Sequence, residues 1–275
     1  MPFTPSHVLA VLPGIGPRGS RRAALLLPSA LVAGTVVPDI TYYVPGVSID
    51  HSLGMHTARG VVTTDLVVGL VLVALWLAVL RTPLLELAPD VVRSRVDPVP
   101  RPRTTRAWLA LAAVAVVSVL LGAWSHVAWD ELTHPGGLGA QHVPWIAQSH
   151  AGVAGSAWLQ LVSSAVGLVG TAWWLEVRRR RTPPRVVRPP ALPVRREVAW
   201  GVLAAACVVA VLGTAVVLGV GGARASGFVL LTGVMTAVAW TLVAACVAWW
   251  AWRATRGGAP RPGTRPDGHP QDAAL

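Results

Sequence analysis

Residues 60–80, 107–127, 157–177, 198–220 and 227–252 form five apolar runs, each about twenty or more residues long and almost free of charge. At the helical rise of about 1.5 Å per residue, such a run covers the ~30 Å hydrocarbon core of a bilayer. No water reaches backbone N–H and C=O groups there, so spanning segments of this length must bond internally, as helices do. Residues 23–38, AALLLPSALVAGTVVP, add a sixth and shorter run. The expected fold is therefore all-α: a polytopic integral membrane bundle of about six transmembrane helices, the first one short. A hydrophobic content of 53% agrees, since soluble domains of this size manage with less.

Charge orients these runs. All 23 basic residues are arginine, and only Arg59 and Arg224 fall on one side of the six-span arrangement. The rest precede the first run, fill the loops after the second and fourth, or lie in the tail. Arginine accumulates on the cytoplasmic side of membrane segments, so that face and both termini are expected in the cytoplasm, with the chain in the cell membrane. Trp108, Trp173, Trp174, Trp200, Trp249, Trp250 and Trp252 fall at the expected inner ends, and Trp124, Trp129 and Trp158 at the outer ends. Indoles prefer that headgroup level. The net charge of +11 does not imply a nucleic-acid partner, because the arginines sit in short loops and a tail instead of on a folded basic face. The partner this pattern calls for is a lipid bilayer.

Four segments follow from composition. Residues 1–177 form a membrane domain that holds nearly all the chemically suggestive side chains. Residues 178–197, RRRRTPPRVVRPPALPVRRE, read as a stiff, solvated cytoplasmic connector. Residues 198–252 read as a two-helix hairpin giving structural support, and 253–275 as a disordered cytoplasmic tail. Cys207 and Cys246 lie within the last two runs, as small buried thiols commonly do.

Histidine distributes opposite to arginine. His51, His56, His126, His134, His142 and His150 fall in the two expected outer loops or at the span ends that meet them, together with Asp39, Asp50, Asp130 and Glu131. Imidazoles mixed with carboxylates are the donor set of a divalent cation such as zinc. In SHVAWDELTH, residues 125–134, the spacing of four predicts His126, Asp130 and His134 on one face of an extended third helix. Adjacent members of that row can share an ion, whereas the whole row climbs about 12 Å. Pro135, Gly136 and Gly137 would stop the helix. VVPDITYY, residues 36–43, places Asp39 at the outer interface, where a lone carboxylate is costly and calls for a partner. DHSLGMHTARG, residues 50–60, offers His51 and His56 just before the second span. The bland alternative for His126 with Asp130 is a helix-surface hydrogen bond, and for His142, His150 and His269 a polar cap or a water-facing side chain. Asp65, inside the second run, is expected to support the ligands or to face a water-filled cleft. Ser163, Gly167 and Gly170 read as a small-residue packing face.

The opening MPFTPSH, the LVAGTVVPD run to Asp39, HTARGVVTTDL from His56, LGAWSHVAWDELTH from Leu121 and LQLVSSAVGL from Leu159 resemble a bacterial family of multi-pass membrane proteins, domain-of-unknown-function family 4184. The resemblance covers roughly the first 175 residues, and no activity comes with it. More distantly, the same elements are similar to membrane-bound metal-dependent hydrolases and to zinc-dependent phospholipase C. That likeness implies His126 and Asp130 as metal ligands, with Asp39 and His56 completing the set and a bound water as nucleophile. Leu161 and Val162 depart from it, standing where many relatives carry a polar residue. His7 also matches the family opening, yet a six-span count leaves it on the cytoplasmic side. Either residues 4–16 dip into the membrane as an extra N-terminal half-helix, which Pro13 and Gly14 permit, or His7 is unrelated to the site.

Two functions from different classes fit. One is a metal-dependent hydrolase at the outer leaflet acting on a phosphoester or ester of a lipid or lipid-linked substrate, with Asp130 catalytic and Arg59 holding the phosphate. The other is a non-catalytic membrane protein whose polar cluster is structural or binds a metal for stability. An ion pathway fits less well, because Asp65 is the one ionisable residue well inside the spans.

Overall fold

The protein is described from a computed structural model covering residues 3–16, 25–44, 54–97, 102–220 and 227–257. It is an all-α polytopic bundle. Five helices are long and apolar enough to cross a membrane. They are α3, Ala58–Leu87, and α4, Thr105–Thr133, then α5, Gly155–Arg181, α6, Arg196–Val220, and α7, Gly227–Gly257. Two shorter helices precede them: α1, Val8–Val11, and α2, Pro28–Val36. The disorder expected of the tail concerns residues that lie mostly outside the described ones.

The two shorter helices pack within the bundle, the first against α5 and the second against α4. A 3-10 turn, Thr4–His7, leads into α1, and Leu12–Gly14 closes it. This segment lies along α5. Phe3 N–H donates to Ser164 Oγ (2.8 Å), and Arg178 donates to the Gly16 carbonyl (3.3 Å). A Cβ on Gly167 would overlap Ser6, and one on Gly170 would overlap Leu9, so small residues on α5 make the groove that seats the segment. Phe3 thus lies on the half of α5 nearer the histidines, while Gly16 sits at the arginine-rich end. Counting charges placed the start of the chain at that arginine-rich end. The geometry differs because a segment buried against protein needs no full membrane-spanning length.

The closest helix crossing is α2 on α4. A Cβ on Gly34 would overlap the Val119 carbonyl, and one on Gly122 would overlap the Leu31 carbonyl. Backbone therefore packs on backbone, a contact only glycine allows. Ala30, Val73, Ala115 and Val119 form the buried apolar layer beside it, where α3 joins the pair. Leu27 N–H, at the start of α2, is capped by Ser118 Oγ (2.9 Å).

α2 stops at Val36 because Pro38 has no N–H to continue the ladder, and Val37–Tyr43 tightens into a 3-10 helix carrying Asp39. α3 starts with Thr57, whose Oγ1 accepts from Gly60 N–H (2.9 Å) and donates to the Gly54 carbonyl (2.8 Å). It contains two π-helical turns, Val61–Asp65 and Trp76–Leu80. α4 ends at Thr133, before Pro135 and a left-handed Gly136 with φ of 80°. α7 runs parallel to α3, since Trp240 Nε1–H donates to the Tyr43 carbonyl (3.1 Å), just before α3, and Trp250 Nε1–H to the Val79 carbonyl (2.8 Å), near its far end. Of the expected connector, residues 178–181 continue α5 and 196–197 begin α6, while the irregular stretch between them is tied down at the arginine-rich end. Arg185 N–H donates to the Ser94 carbonyl (2.9 Å), Ala191 N–H to Glu86 (2.8 Å), and Trp249 Nε1–H to the Ala191 carbonyl (2.8 Å). There, hydrogen bonds from Arg196 and Arg93 hold the exposed Asp90 carboxylate below its usual range.

Candidate metal centre

Four chain segments converge at the end of the bundle opposite the arginines. The 3-10 helix after α2 supplies Asp39, the turn before α3 supplies His56, and α4 supplies His126 and Asp130 one turn apart. The turn before α1 supplies His7. His126 lies seven residues before the end of α4, so the cluster is sunk about 10 Å below that helix end.

Asp39, His56, His126 and Asp130 each turn one donor atom toward a common space, all within 4.8 Å of one another. His126 Nε2 is 3.4 Å from Asp130 Oδ2 and 3.6 Å from Asp39 Oδ1. His56 Nε2 is 3.4 Å from Asp130 Oδ2 and 3.3 Å from Asp39 Oδ1. A charge-assisted hydrogen bond would hold N and O at about 2.7–2.9 Å, so no direct bond ties these groups. His126 is fully buried and Asp39 nearly so, while His56 keeps an 18% exposed side chain. His126 Nε2, Asp39 Oδ1 and both Asp130 carboxylate oxygens are buried without a hydrogen-bond partner. Leaving so many charged or polar atoms unsatisfied costs several kcal/mol, roughly, unless something sits among them. A buried Asp/His cluster of this shape can hold a metal ion.

The supporting contacts aim these atoms. His126 Nδ1 lies 2.7 Å from the Thr35 carbonyl, which can only accept, so Nδ1 carries the hydrogen and Nε2 faces the cluster. The Gly34–Gly122 contact makes this bond possible, bringing the α2 backbone onto α4 one turn before His126. Thr4 Oγ1 donates to Asp39 Oδ2 (2.6 Å), leaving Oδ1 for the cluster, and the Tyr43 hydroxyl donates in turn to Thr4 (2.8 Å). Burial pushes the Tyr43 phenol above its ordinary range, which keeps it a donor. For His56, Gly60 lets the Gly54–Met55 backbone fold directly over the start of α3.

His7 joins the cluster, as the half-helix alternative required. Its ring stacks on His126 with centroids 3.9 Å apart, and its buried Nε2 is 3.6 Å from Asp130 Oδ1 with no hydrogen-bond partner. His134 leaves the row of three, because its backbone is extended at the end of α4. Its Nδ1–H turns back to the Asp130 carbonyl (3.0 Å), placing it beside the four donors and not among them. His51 and Asp50 lie outside the described residues. Arg59 is exposed at the start of α3, beside the cluster and not in it. Asp65 is fully buried and neither of its oxygens has a hydrogen-bond partner. His142 Nδ1 and His150 Nε2 bond the Leu138 and Trp145 carbonyls (2.9 and 2.7 Å), away from the cluster. Leu161 and Val162 are exposed on the outer face of α5. Sequence reasoning missed Thr4, Thr35 and Tyr43 as supporting groups, although all three fall in stretches it had singled out.

Fold and site together define a polytopic helical membrane protein with a buried carboxylate–imidazole cluster near one end of its bundle. The chain belongs to the family described as Domain of unknown function (DUF4184), whose pattern matches residues 1–250. The match runs through both C-terminal spans, well past the 175 residues whose motifs are legible by eye. Comparison with curated proteins and with solved structures returns no match.

Proposed function

We propose that this protein is a metal-dependent hydrolase of the cell membrane, acting on a lipid or lipid-linked phosphoester or ester at the extracytoplasmic face. The observation that carries the reading is the spacing of the four donors. Zinc binds imidazole nitrogen and carboxylate oxygen at about 2.0–2.2 Å, and a tetrahedron of such bonds has edges of about 3.3–3.6 Å. The four N···O separations, 3.3 to 3.6 Å, fall in that range. Charge agrees as well, since two carboxylates offset a divalent ion while two imidazoles stay neutral.

In this reading Asp39, His56, His126 and Asp130 hold the ion, and the Thr35 carbonyl and Thr4 hydroxyl orient them, as outer partners do in metal sites. A bound divalent ion supplies Lewis-acid polarisation and makes water acidic enough to deprotonate near neutral pH. Asp130 would hold the ion through Oδ2, and its Oδ1 lies 3.6 Å from His7 Nε2. Burial of these groups keeps bulk water away. The arginine count supports a cluster end outside the cytoplasm.

A second reading has its own observation. Four protein donors fill a tetrahedral shell, as in structural zinc sites, whereas catalytic ones usually keep a position open. Metal content of detergent-purified protein decides whether a metal is held at all. Wild type should retain about one divalent ion per chain, and His126→Ala and Asp130→Ala should each lose it; metal-free wild type overturns both metal readings. Hydrolysis of a generic phosphodiester by the loaded protein, abolished in the same variants, separates catalysis from structural binding.

A further inference from the structure

A large cavity lies beside the cluster and not in it. Its volume is about 1030 Å³, at the upper end of the range for small-molecule sites, and its walls are overwhelmingly apolar. It is bounded by α3, by α7 through Trp240 and Val243, and by the 3-10 segment after Asp39. Thr64, Val68, Leu72 and Leu75 form a stripe along one face of α3, so the groove follows the helix. From Arg59 to Leu80, both lining residues, the span is about 30 Å, the depth of a hydrocarbon core. Met55 and Thr57, on either side of His56, also line it, so the groove begins next to the most exposed of the four donors.

Its mouth carries Arg59, the one arginine of this end among the described residues. Arg59 lines the groove, is exposed, and makes no side-chain hydrogen bond or ion pair among the described residues. An apolar slot as deep as the membrane, with an exposed guanidinium at its mouth, is complementary to a molecule with a long hydrocarbon tail and an anionic head.

We infer that this groove is a lipid-binding site, seating the tail of a lipid phosphate between α3 and α7 while Arg59 holds the phosphate beside His56. That the seated lipid is the substrate rests on the hydrolase reading; the seating itself does not. The length of the groove favours one tail that passes the midplane, because a bilayer core is shared by two leaflets and an ordinary chain accounts for only about 15 Å of it.

The test uses the full-length protein in nanodiscs and two photoreactive probes with the same long isoprenyl tail, one ending in phosphate and one in the free alcohol. Cross-links are mapped by mass spectrometry, and metal content is measured on the same preparations. The phosphate probe should label the peptides bearing Leu72 and Val243 at least tenfold more than the alcohol does. Arg59→Gln should remove that preference, and Leu72→Trp should block labelling at Val243. Equal labelling by both probes, or labelling no stronger than at lipid-exposed Val169 on α5, would overturn the groove. Groove labelling in a metal-free protein would sink the hydrolase reading and leave this one standing.

Discussion

Thr4 gives the sharpest test at the scale of single residues, because it touches none of the imidazoles. Its hydroxyl donates to Asp39 Oδ2, and that bond turns Oδ1 toward His56 and His126. Thr4→Val keeps the shape and removes the donor. Metal affinity, read by competition with a chelator of known strength, should fall about 10- to 100-fold, the usual effect of losing an outer-shell partner. Tyr43→Phe, one bond further out, should cost less. An unchanged affinity in Thr4→Val would remove Asp39 from the ligand set. The four donors themselves were legible in the sequence, because aspartate and histidine are rare beside apolar runs and expensive there. Thr4 and the Thr35 carbonyl were not. Hydroxyls and carbonyls occur everywhere, and only a contact spanning 91 residues gives the carbonyl its role.

Between elements, the decisive contact is glycine on glycine. Gly122→Val would drive a side chain into the Leu31 carbonyl and push α2 off α4. Overpacking of this kind costs roughly 1–3 kcal/mol. It should lower the Tm in detergent and also weaken metal retention, because Thr35 leaves His126 when α2 moves. Val117→Ala, on the lipid-exposed side of the same helix, should do neither. A Gly122→Val protein that keeps its Tm and its ion would show that the crossing does not position the site. Helix α4 was readable to its end, since Pro135 and two glycines stop what hydropathy starts. The N-terminal helix pair was only half readable. A span is recognised by its length, and four residues of α1 flanked by 3-10 turns have no length signal. His7 consequently looked misplaced by a membrane's thickness until its segment was seen folded back along α5.

At the scale of the whole molecule, everything depends on which side of the membrane the cluster faces. The arginine asymmetry predicts the loop of residues 134–154 outside and the connector of residues 178–197 inside, on opposite ends of α5. Single cysteines at Gln141 and Arg185, both exposed, report the two sides once Cys207 and Cys246 are replaced by alanine. A membrane-impermeant maleimide should label the Gln141→Cys protein in intact cells, and the Arg185→Cys protein only after permeabilisation. The reverse pattern would put the cluster and Arg59 in the cytoplasm. The substrate would then have to come from the inner leaflet, and the positive-inside count would have failed despite a 21-to-2 excess of arginine. Labelling at both positions in intact cells would mean that the chain inserts both ways, which that excess should forbid. Single-sided labelling at Gln141 fixes the side of the membrane on which the Arg59 end of the groove lies, because Arg59 and His56 sit at the same end of α3.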